Sequence, residues 1–193
     1  MSRPEGTSGE GDLGTSTLAS GPAGTHFEGQ VGASYLLAML SGAPPRGLSG
    51  TTIDRIALQQ ANAGCPLDDV IVHAHDSVTG KTAVLEIQVK RSITFAAADP
   101  VFRKVVGQIV KASQRPDFLA LRYELAIATT KGSRKIDGAY QDVLTLARQV
   151  GDATRFATCI DLPGAANDDM RTFVRMFRSH LRDEGSTDDN QTA

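Results

Sequence analysis

Four polar residues within one short stretch carry the side chains that metal-assisted hydrolysis requires. Asp69 and Glu86 have carboxylates, Gln88 has an amide oxygen and Lys90 has an ammonium group. Cleavage of a phosphodiester needs an oxygen-ligated cation, an activated water and positive charge near the phosphorus. The acids and the amide supply oxygen ligands, and Lys90 can orient or deprotonate the water or stabilise the transition state. The combination predicts a site for phosphodiester hydrolysis.

A β-hairpin is the element that the sequence predicts to position these residues. Two runs of alternating apolar and polar residues flank the turn-rich segment 76–81. Because side chains alternate across a strand, Glu86, Gln88 and Lys90 share one face of the second strand. Asp69 falls on the corresponding face of the first strand. We therefore expect the polar residues to lie together on one side of the hairpin.

The apolar residues of the two runs also suggest how the strands pair. Pairing Val72 with Ile87 aligns the apolar faces and places Asp69 opposite Lys90. Directly opposed Cβ atoms lie about 4.5–5.5 Å apart, so these two side chains would share a small site. A cross-strand surface ion pair, worth less than about 1 kcal/mol, is the alternative interpretation.

The run Gln88-Val89-Lys90-Arg91, with Asp69 upstream, resembles the QxK variant of the PD-(D/E)xK nuclease superfamily. This variant occurs in Mrr-type restriction nucleases and in nuclease domains of bacterial anti-phage endonucleases. The resemblance covers roughly residues 25–130. It implies an α/β fold with a restriction-endonuclease-like αβββαβ core, in which helices flank a central mixed sheet. It also implies cleavage of double-stranded DNA with Mg²⁺, or Mn²⁺, in an anti-phage defence setting.

The resemblance assigns roles to individual residues. Asp69 would be the central metal ligand, Gln88 the replacement for the usual second acid, and Lys90 the catalytic lysine. Glu28 could match the acid that many members carry on their first helix. The sequence departs from the family where Gln88 replaces Asp or Glu, and where Asp68 rather than Pro precedes the first acid. Metal binding then depends on an additional acid.

Two acids could provide that additional ligand, and each has a simpler interpretation. Glu86 is predicted to take part in catalysis and metal binding, with a solvated strand residue as the alternative. Glu28 could contact the metal, although Thr25 and Glu28 also fit a helix capping box. His73 and His75 lack a third metal ligand at suitable spacing and are better interpreted as ordinary exposed strand histidines.

Basic residues are concentrated in one part of an otherwise slightly acidic chain. Residues 81–135 contain 11 Lys and Arg against 4 Asp and Glu, whereas the whole chain has a net charge of -2. Such a segment could attract phosphates, with solvated surface charge as the alternative. The predicted DNA-binding residues are Arg91, Arg103, Lys104, Lys111, Arg115, Lys131, Arg134 and Lys135. Contacts of this kind position duplex DNA without reading its sequence.

The remaining sequence patterns predict the order of elements as α-β-β-β-α-β-α-β-α. Residues 1–24 have few large apolar side chains and are expected to be disordered, residues 25–184 to form one domain, and residues 185–193 to form a polar tail or linker. Outside the hairpin, helices are predicted over 26–40, from Pro100 (capped by Asp99) to near Pro116, over 134–149 and over 168–182. Strands are predicted over 53–58, around 125–127 and over 154–161.

Composition narrows the setting and leaves three functions open. No run reaches the roughly 18 apolar residues of a membrane span, and no signal peptide pattern is present, so a cytoplasmic protein without a membrane partner is expected. Cys65 and Cys159 are interpreted as unpaired thiols. The leading hypothesis is an active nuclease, which could form a homo-oligomer and could be fused to or associated with a sensor or ATPase module. Two alternative functions stay open. These are an inactive nuclease-fold module that binds nucleic acid, and a structural or assembly domain.

Overall fold

A four-stranded mixed sheet forms the centre of the fold, and helices flank it. The computed structural model describes residues 22–189, with side chains described over 23–184. The strands are β1 (Thr51–Leu58), β2 (Val70–Asp76), β3 (Thr82–Val89) and β4 (Arg122–Ala128), which lie in this order across the sheet. β1, β2 and β3 pair antiparallel, and β4 runs parallel to β3. The α/β class and the mixed sheet flanked by helices are confirmed.

Six α-helices occur in the described part of the chain. They are α1 (Pro22–Ser41), α2 (Pro100–Ser113), α3 (Pro116–Ala120), α4 (Gln141–Val150), α5 (Ala153–Asp161) and α6 (Asp168–Asp189), with a π-helical turn (Lys135–Tyr140) leading into α4. Because α1 begins at Pro22, Thr25 and Glu28 lie inside it and the predicted capping box is wrong. The predicted tails fall mostly outside the described residues, but 22–24 belong to α1 and 185–189 to α6.

The predicted hairpin is confirmed, and its turn is closed by Asp76. The backbone N–H of Asp76 donates to the carbonyl of Lys81 at 2.8 Å. The Asp76 carboxylate accepts from the backbone N–H of Val78 at 3.1 Å and of Thr79 at 2.7 Å. Gly80 has a φ of +70°, a conformation that side chains disfavour. Local turn chemistry therefore fixes where the two strands begin to pair.

The register of the hairpin differs from the predicted one by two residues. Val70 pairs with Ile87 and Val72 pairs with Leu85, so the predicted pairing of Val72 with Ile87 is wrong. A shift of two residues keeps every side chain on its predicted face. Continued by one residue, the observed register brings Gln88 rather than Lys90 opposite Asp69.

The two faces of the sheet are covered by different helices. Phe27, Val31 and Tyr35 of α1 pack on the face formed by alternate strand residues such as Val72 and Leu85. Another buried cluster, formed by Ile93, Phe102, Val105 and Val106, joins α2 to α6. With neighbours on both sides, β3 is buried at every position from Ala83 to Val89.

The start of α2 is fixed by the cap that the sequence predicts. The Asp99 carboxylate accepts from the backbone N–H of Val101 at 2.8 Å and of Phe102 at 3.3 Å, and Pro100 follows as the first helical residue. Its second oxygen accepts from the N–H of Thr94 at 2.6 Å. One side chain therefore holds both the helix and the loop that follows β3.

The segment 154–161, predicted as a strand, is helical in the structure. Asp152 caps α5 by accepting from the backbone N–H of Arg155 at 2.7 Å. Phe156 and Ile160, four residues apart, then fall on one helical face and join the cluster built with α4 and α6. The predicted strand is wrong because the four-residue spacing and the cap outweigh the short alternation of apolar residues.

Candidate active site

The carboxylate of Asp69 is the point at which two of the predicted site residues, Gln88 and Lys90, meet. Its Oδ2 accepts from the side-chain amide of Gln88, from the backbone N–H of Val89 at 2.6 Å, and from the Lys90 ammonium at 3.4 Å. Asp69 is 12% exposed and Lys90 28% exposed. The site therefore opens to solvent on the lysine side. Because Asp69 directly precedes β2 and the donors end β3, the hairpin assembles this contact.

The side-chain oxygen of Gln88 is buried without a partner among the described residues. Its side chain is 2% exposed, and its Oε1 accepts no hydrogen bond from the described residues. A buried acceptor left in this way costs on the order of 1–3 kcal/mol. The amide nitrogen is occupied by Asp69, so the oxygen is the atom available to a ligand. An orphaned amide oxygen beside a carboxylate is a donor set suited to a hard cation.

The charge of Asp69 raises the pKa of two further carboxyl groups. Burial raises the pKa of Glu28 on α1, and Asp69 raises it further, whereas Lys90 and a hydrogen bond from Gln59 oppose the rise. Burial also raises the pKa of Asp68, again with Asp69 adding to the effect. These mutual effects bring Glu28 and Asp68 into the surroundings of the site. From the sequence alone, Asp68 was notable only because it stands where the family pattern has Pro.

Gln59 is a site residue that the sequence analysis missed. It follows β1, and its φ of +53° is the one positive value among non-glycine residues in the described range 22–189. Its backbone N–H donates to the carbonyl of Asp69 at 3.2 Å, and its side chain lowers the pKa of Glu28. Left-handed backbone in a residue with a side chain is strained and is often found at functional sites. No sequence signal marks this conformation.

Glu86 lies in a separate, buried cluster of charges. It is 0% exposed, and its carboxylate accepts from Arg115 at 2.7 Å, from the Tyr123 hydroxyl, and from the backbone N–H of Leu67 at 3.3 Å. Burial raises the pKa of Tyr123, and its hydrogen bond to Glu86 raises it further. The interpretation of Glu86 as a solvated strand residue is wrong. Its predicted catalytic and metal roles gain no support, because its carboxylate is fully buried and is paired with the charged Arg115.

Two of the eight predicted DNA-binding residues form ion pairs, and the other six have exposed side chains. Arg115 belongs to the buried cluster and also pairs with Asp117 at 2.6 Å. Lys135 pairs with Asp169 at 2.8 Å, although both side chains stay about half exposed. Exposed side chains are found at Arg91, Arg103, Lys104, Lys111, Lys131 and Arg134. Lys104 is close enough to oppose the rise in the Asp68 pKa, so α2 brings positive charge to the site.

The histidines and cysteines form no metal site in the structure. His73 contacts Arg55 at 2.8 Å and His75 contacts Asp54 at 2.7 Å. Cys65 and Cys159 are free thiols, as expected. Within residues 22–189, no three His, Cys, Asp or Glu side chains are grouped so as to hold a metal ion.

Comparison with known proteins assigns this chain to no family. No protein family model, no curated protein and no solved structure matches it. Among the described helices, none is both long and apolar enough to cross a bilayer. The geometry around Asp69 is therefore the basis on which a function can be proposed.

Proposed function

We propose that this protein is a divalent-metal-dependent endonuclease that hydrolyses phosphodiester bonds of double-stranded DNA. The observation that carries the proposal is the convergence of Gln88, Val89 and Lys90 on the carboxylate of Asp69. The order α1-β1-β2-β3-α2-β4, interrupted only by the short α3, supports a restriction-endonuclease-like core. Ligands bind at the carboxyl ends of strands in open α/β sheets, and this site follows the carboxyl end of β3.

The residues around Asp69 fit a Mg²⁺ or Mn²⁺ ion. Asp69 and the orphaned Oε1 of Gln88 would hold the cation, and Glu28 would add a carboxylate directly or through water. Such a cation, when bound, supplies Lewis acidity toward the phosphate and the attacking water. A cation would also stabilise the ionised forms of Glu28 and Asp68, whose pKa values burial raises.

The remaining groups orient the substrate and balance its charge. Lys90, partly exposed, reaches outward from Asp69 to a phosphate oxygen or to the attacking water. The backbone N–H of Val89 holds the Asp69 carboxylate in place at 2.6 Å. Exposed Arg91 and Lys104 flank the site and would contact the phosphates beside the one that is cleaved.

The proposed setting is anti-phage defence in the cytoplasm. This part of the proposal comes from the resemblance of Asp69 and Gln88-Val89-Lys90 to the QxK nucleases. A nuclease that its host tolerates needs restraint, so the proposal includes a sensor or ATPase module, fused or associated, that controls cleavage.

Nicking of supercoiled plasmid tests the proposed activity. Wild type should nick with Mg²⁺ or Mn²⁺ and not with EDTA, and Lys90→Ala and Asp69→Asn should each reduce the rate by at least about a hundredfold. Lys81→Ala is the matched control, since it removes an exposed lysine from the same basic segment that is not among the predicted DNA-binding residues, and it should keep the cleavage rate within a few fold. Equal cutting by wild type and both site variants would overturn the assignment.

One observation favours a second candidate, an inactive nuclease-fold module that binds nucleic acid. The Oδ2 of Asp69 accepts hydrogen bonds from Gln88, Val89 and Lys90, so a cation at this oxygen would compete with three protein donors. This candidate predicts salt-sensitive duplex binding that divalent cations do not strengthen, with no cleavage under any metal.

A further inference from the structure

Helix α1 carries exposed leucines and few charges on the side that faces away from the sheet. Glu28 is the one Asp, Glu, Lys or Arg residue between Pro22 and Ser41. The inner side packs on the sheet through residues such as Phe27 and Val31, yet Leu37 is 68% exposed and Leu40 81% exposed. Clustered exposed leucines opposite the buried side of a helix mark a surface that binds a partner. The outer face therefore indicates a second surface to be buried.

The outer face of α1 has two halves of opposite shape. Its first half is a shallow groove lined by Thr25, His26, Gly29, Gln30 and Ala33. Its second half projects three exposed leucines, which are Leu36, Leu37 and Leu40. Gly29 meets no other atom within 4 Å of the position where a Cβ would be. The surface at this glycine is therefore open, and a side chain of a partner can lie against it without displacing any atom.

We propose that this face binds a second copy of the chain, with the two α1 helices antiparallel across a twofold axis near Ala33. In this arrangement Ala33 meets Ala33, and Gly29 receives Leu37 of the partner. Continuing outward, His26 lies opposite the partner's Leu40. The leucines of each helix then pack into the groove of the other helix, as an isologous interface requires. The outer face of α1 is therefore complementary to a second copy of itself.

Spacing and charge agree with a helix pair. Gly29, Ala33, Leu36 and Leu40 follow one another at intervals of four, three and four residues, which keeps them on one stripe. No residue of that stripe is charged, so two identical copies meet without repulsion. A pair of 20-residue helices buries less than the roughly 800 Å² per partner of a standard interface, so we expect dissociation in the micromolar range.

The dimer has a consequence for the proposed nuclease, although its existence does not rest on that function. Glu28 lies near Asp69 on the side of α1 that faces the sheet, so the outer face is free for the partner. Two copies related by a twofold axis match the two antiparallel strands of a duplex. Each site would cut one strand, and the dimer would be the form that makes double-strand breaks.

Sedimentation of the full chain between about 1 and about 100 µM tests the proposal directly. The mass should rise from one chain of 20.4 kDa towards twice that value. Leu37→Arg should weaken association at least about tenfold. Leu119→Arg is the matched control, because Leu119 is 89% exposed on α3 and far from this face in sequence, and its association should equal that of wild type.

Disulfide trapping tests the antiparallel arrangement. In a chain carrying Cys65→Ser and Cys159→Ser, Ala33→Cys should form a covalent dimer on oxidation, and Leu40→Cys should not. Trapping by Leu40→Cys alone would overturn the arrangement, since parallel helices bring those ends together. A wild-type chain that stays monomeric at the highest concentration would overturn the proposal and assign the face to another occupant. Neither readout needs metal, DNA or cleavage, so its failure is distinct from failure of the nuclease assignment.

Discussion

Gln88 donates its side-chain N–H to the carboxylate of Asp69, while the oxygen of the same amide is buried without a partner in the described structure. Rotation of the amide would turn the oxygen towards Asp69, where two acceptors would face each other. A cation between them would make that orientation favourable. The amide of Gln88 is therefore expected to reorient when the site binds metal.

Gln88→Glu should make the protein less stable without metal and more responsive to it. The new carboxylate is buried beside Asp69, so like charge and desolvation lower the melting temperature, by a few degrees for each kcal/mol lost. Mg²⁺ should then raise the melting temperature more than it does in wild type. Thermal unfolding with Mg²⁺ and with EDTA measures both effects.

The matched control for that experiment is Gln108→Glu. Gln108 on α2 also has an orphaned Oε1, and its amide donates to the carbonyl of Pro66 at 2.8 Å. This variant should lose stability without gaining a response to Mg²⁺. An equal Mg²⁺ response in the two variants would argue against a cation site at Gln88.

Arg115→Ala should destabilise the fold, whereas Lys111→Ala should affect only binding to DNA. Removing Arg115 leaves the buried Glu86 carboxylate without its charged partner, which costs about 3–5 kcal/mol. Lys111 is exposed, so its loss should leave the melting temperature unchanged. It should reduce by about one the slope of the logarithm of the duplex-binding constant against the logarithm of salt concentration. Chemical denaturation and salt titrations measure the two outcomes. A stable Arg115→Ala with a reduced salt slope would restore Arg115 to the DNA-binding group.

Asp99 should stabilise the protein in a pH-dependent way. Burial raises the pKa of this carboxyl, but hydrogen bonds from the backbone of Thr94, Val101 and Phe102 outweigh burial and hold the pKa below its ordinary value. A depressed pKa contributes stability above the ordinary carboxyl pKa, and this stability is lost as the pH falls through the folded value. Asp99→Ala should cost about 1 kcal/mol at pH 7 and less in acid.

The conservative variant separates the charge of Asp99 from its role as a cap. Asp99→Asn keeps an acceptor oxygen for α2 and should retain most of the stability at pH 7, with a weaker dependence on acid pH. Urea unfolding at neutral and acid pH gives both numbers. The same acid dependence in Asp99→Asn and wild type would exclude Asp99 as its source.

Gln59→Gly should stabilise the fold while it impairs the site. Glycine adopts the φ of +53° without strain, and the gain, offset by the added freedom of the unfolded chain, is about 1 kcal/mol or less. The lost hydrogen bond lets the pKa of Glu28 rise further, so cleavage should slow. Gly64→Ala, at a φ of +78°, is the reverse control and should destabilise by about 1 kcal/mol. Unchanged cleavage by Gln59→Gly would remove Gln59 from the site.

The sequence was informative wherever a local signal determines the structure. Asp99 and Pro100 mark the start of α2, and the alternation from Ala83 to Val89 marks a strand. It was insufficient where several arrangements satisfy the same pattern. A two-residue shift leaves the apolar faces of the hairpin intact, so alternation could not distinguish the predicted pairing from the observed one.

The role of Glu86 could not be obtained from the sequence because its partners come from distant segments. Arg115 and Tyr123 follow Glu86 by 29 and 37 residues, and only the folded chain brings their side chains onto its carboxylate. The polar face predicted for β3 is real. Tertiary contacts divide it between a structural ion pair and the Asp69 site.

The bond from the Val89 N–H to the Asp69 carboxylate makes this amide a natural spectroscopic reporter. The N–H of Val89 donates to a side chain at 2.6 Å, whereas the N–H of the next residue, Lys90, donates to the carbonyl of Ala128 in β4 at 2.8 Å. The chemical shift and exchange of the Val89 amide should therefore follow the state of the carboxylate, and those of Lys90 should follow the sheet. Two adjacent peaks in one NMR spectrum would distinguish a ligand at the site from a change in the fold.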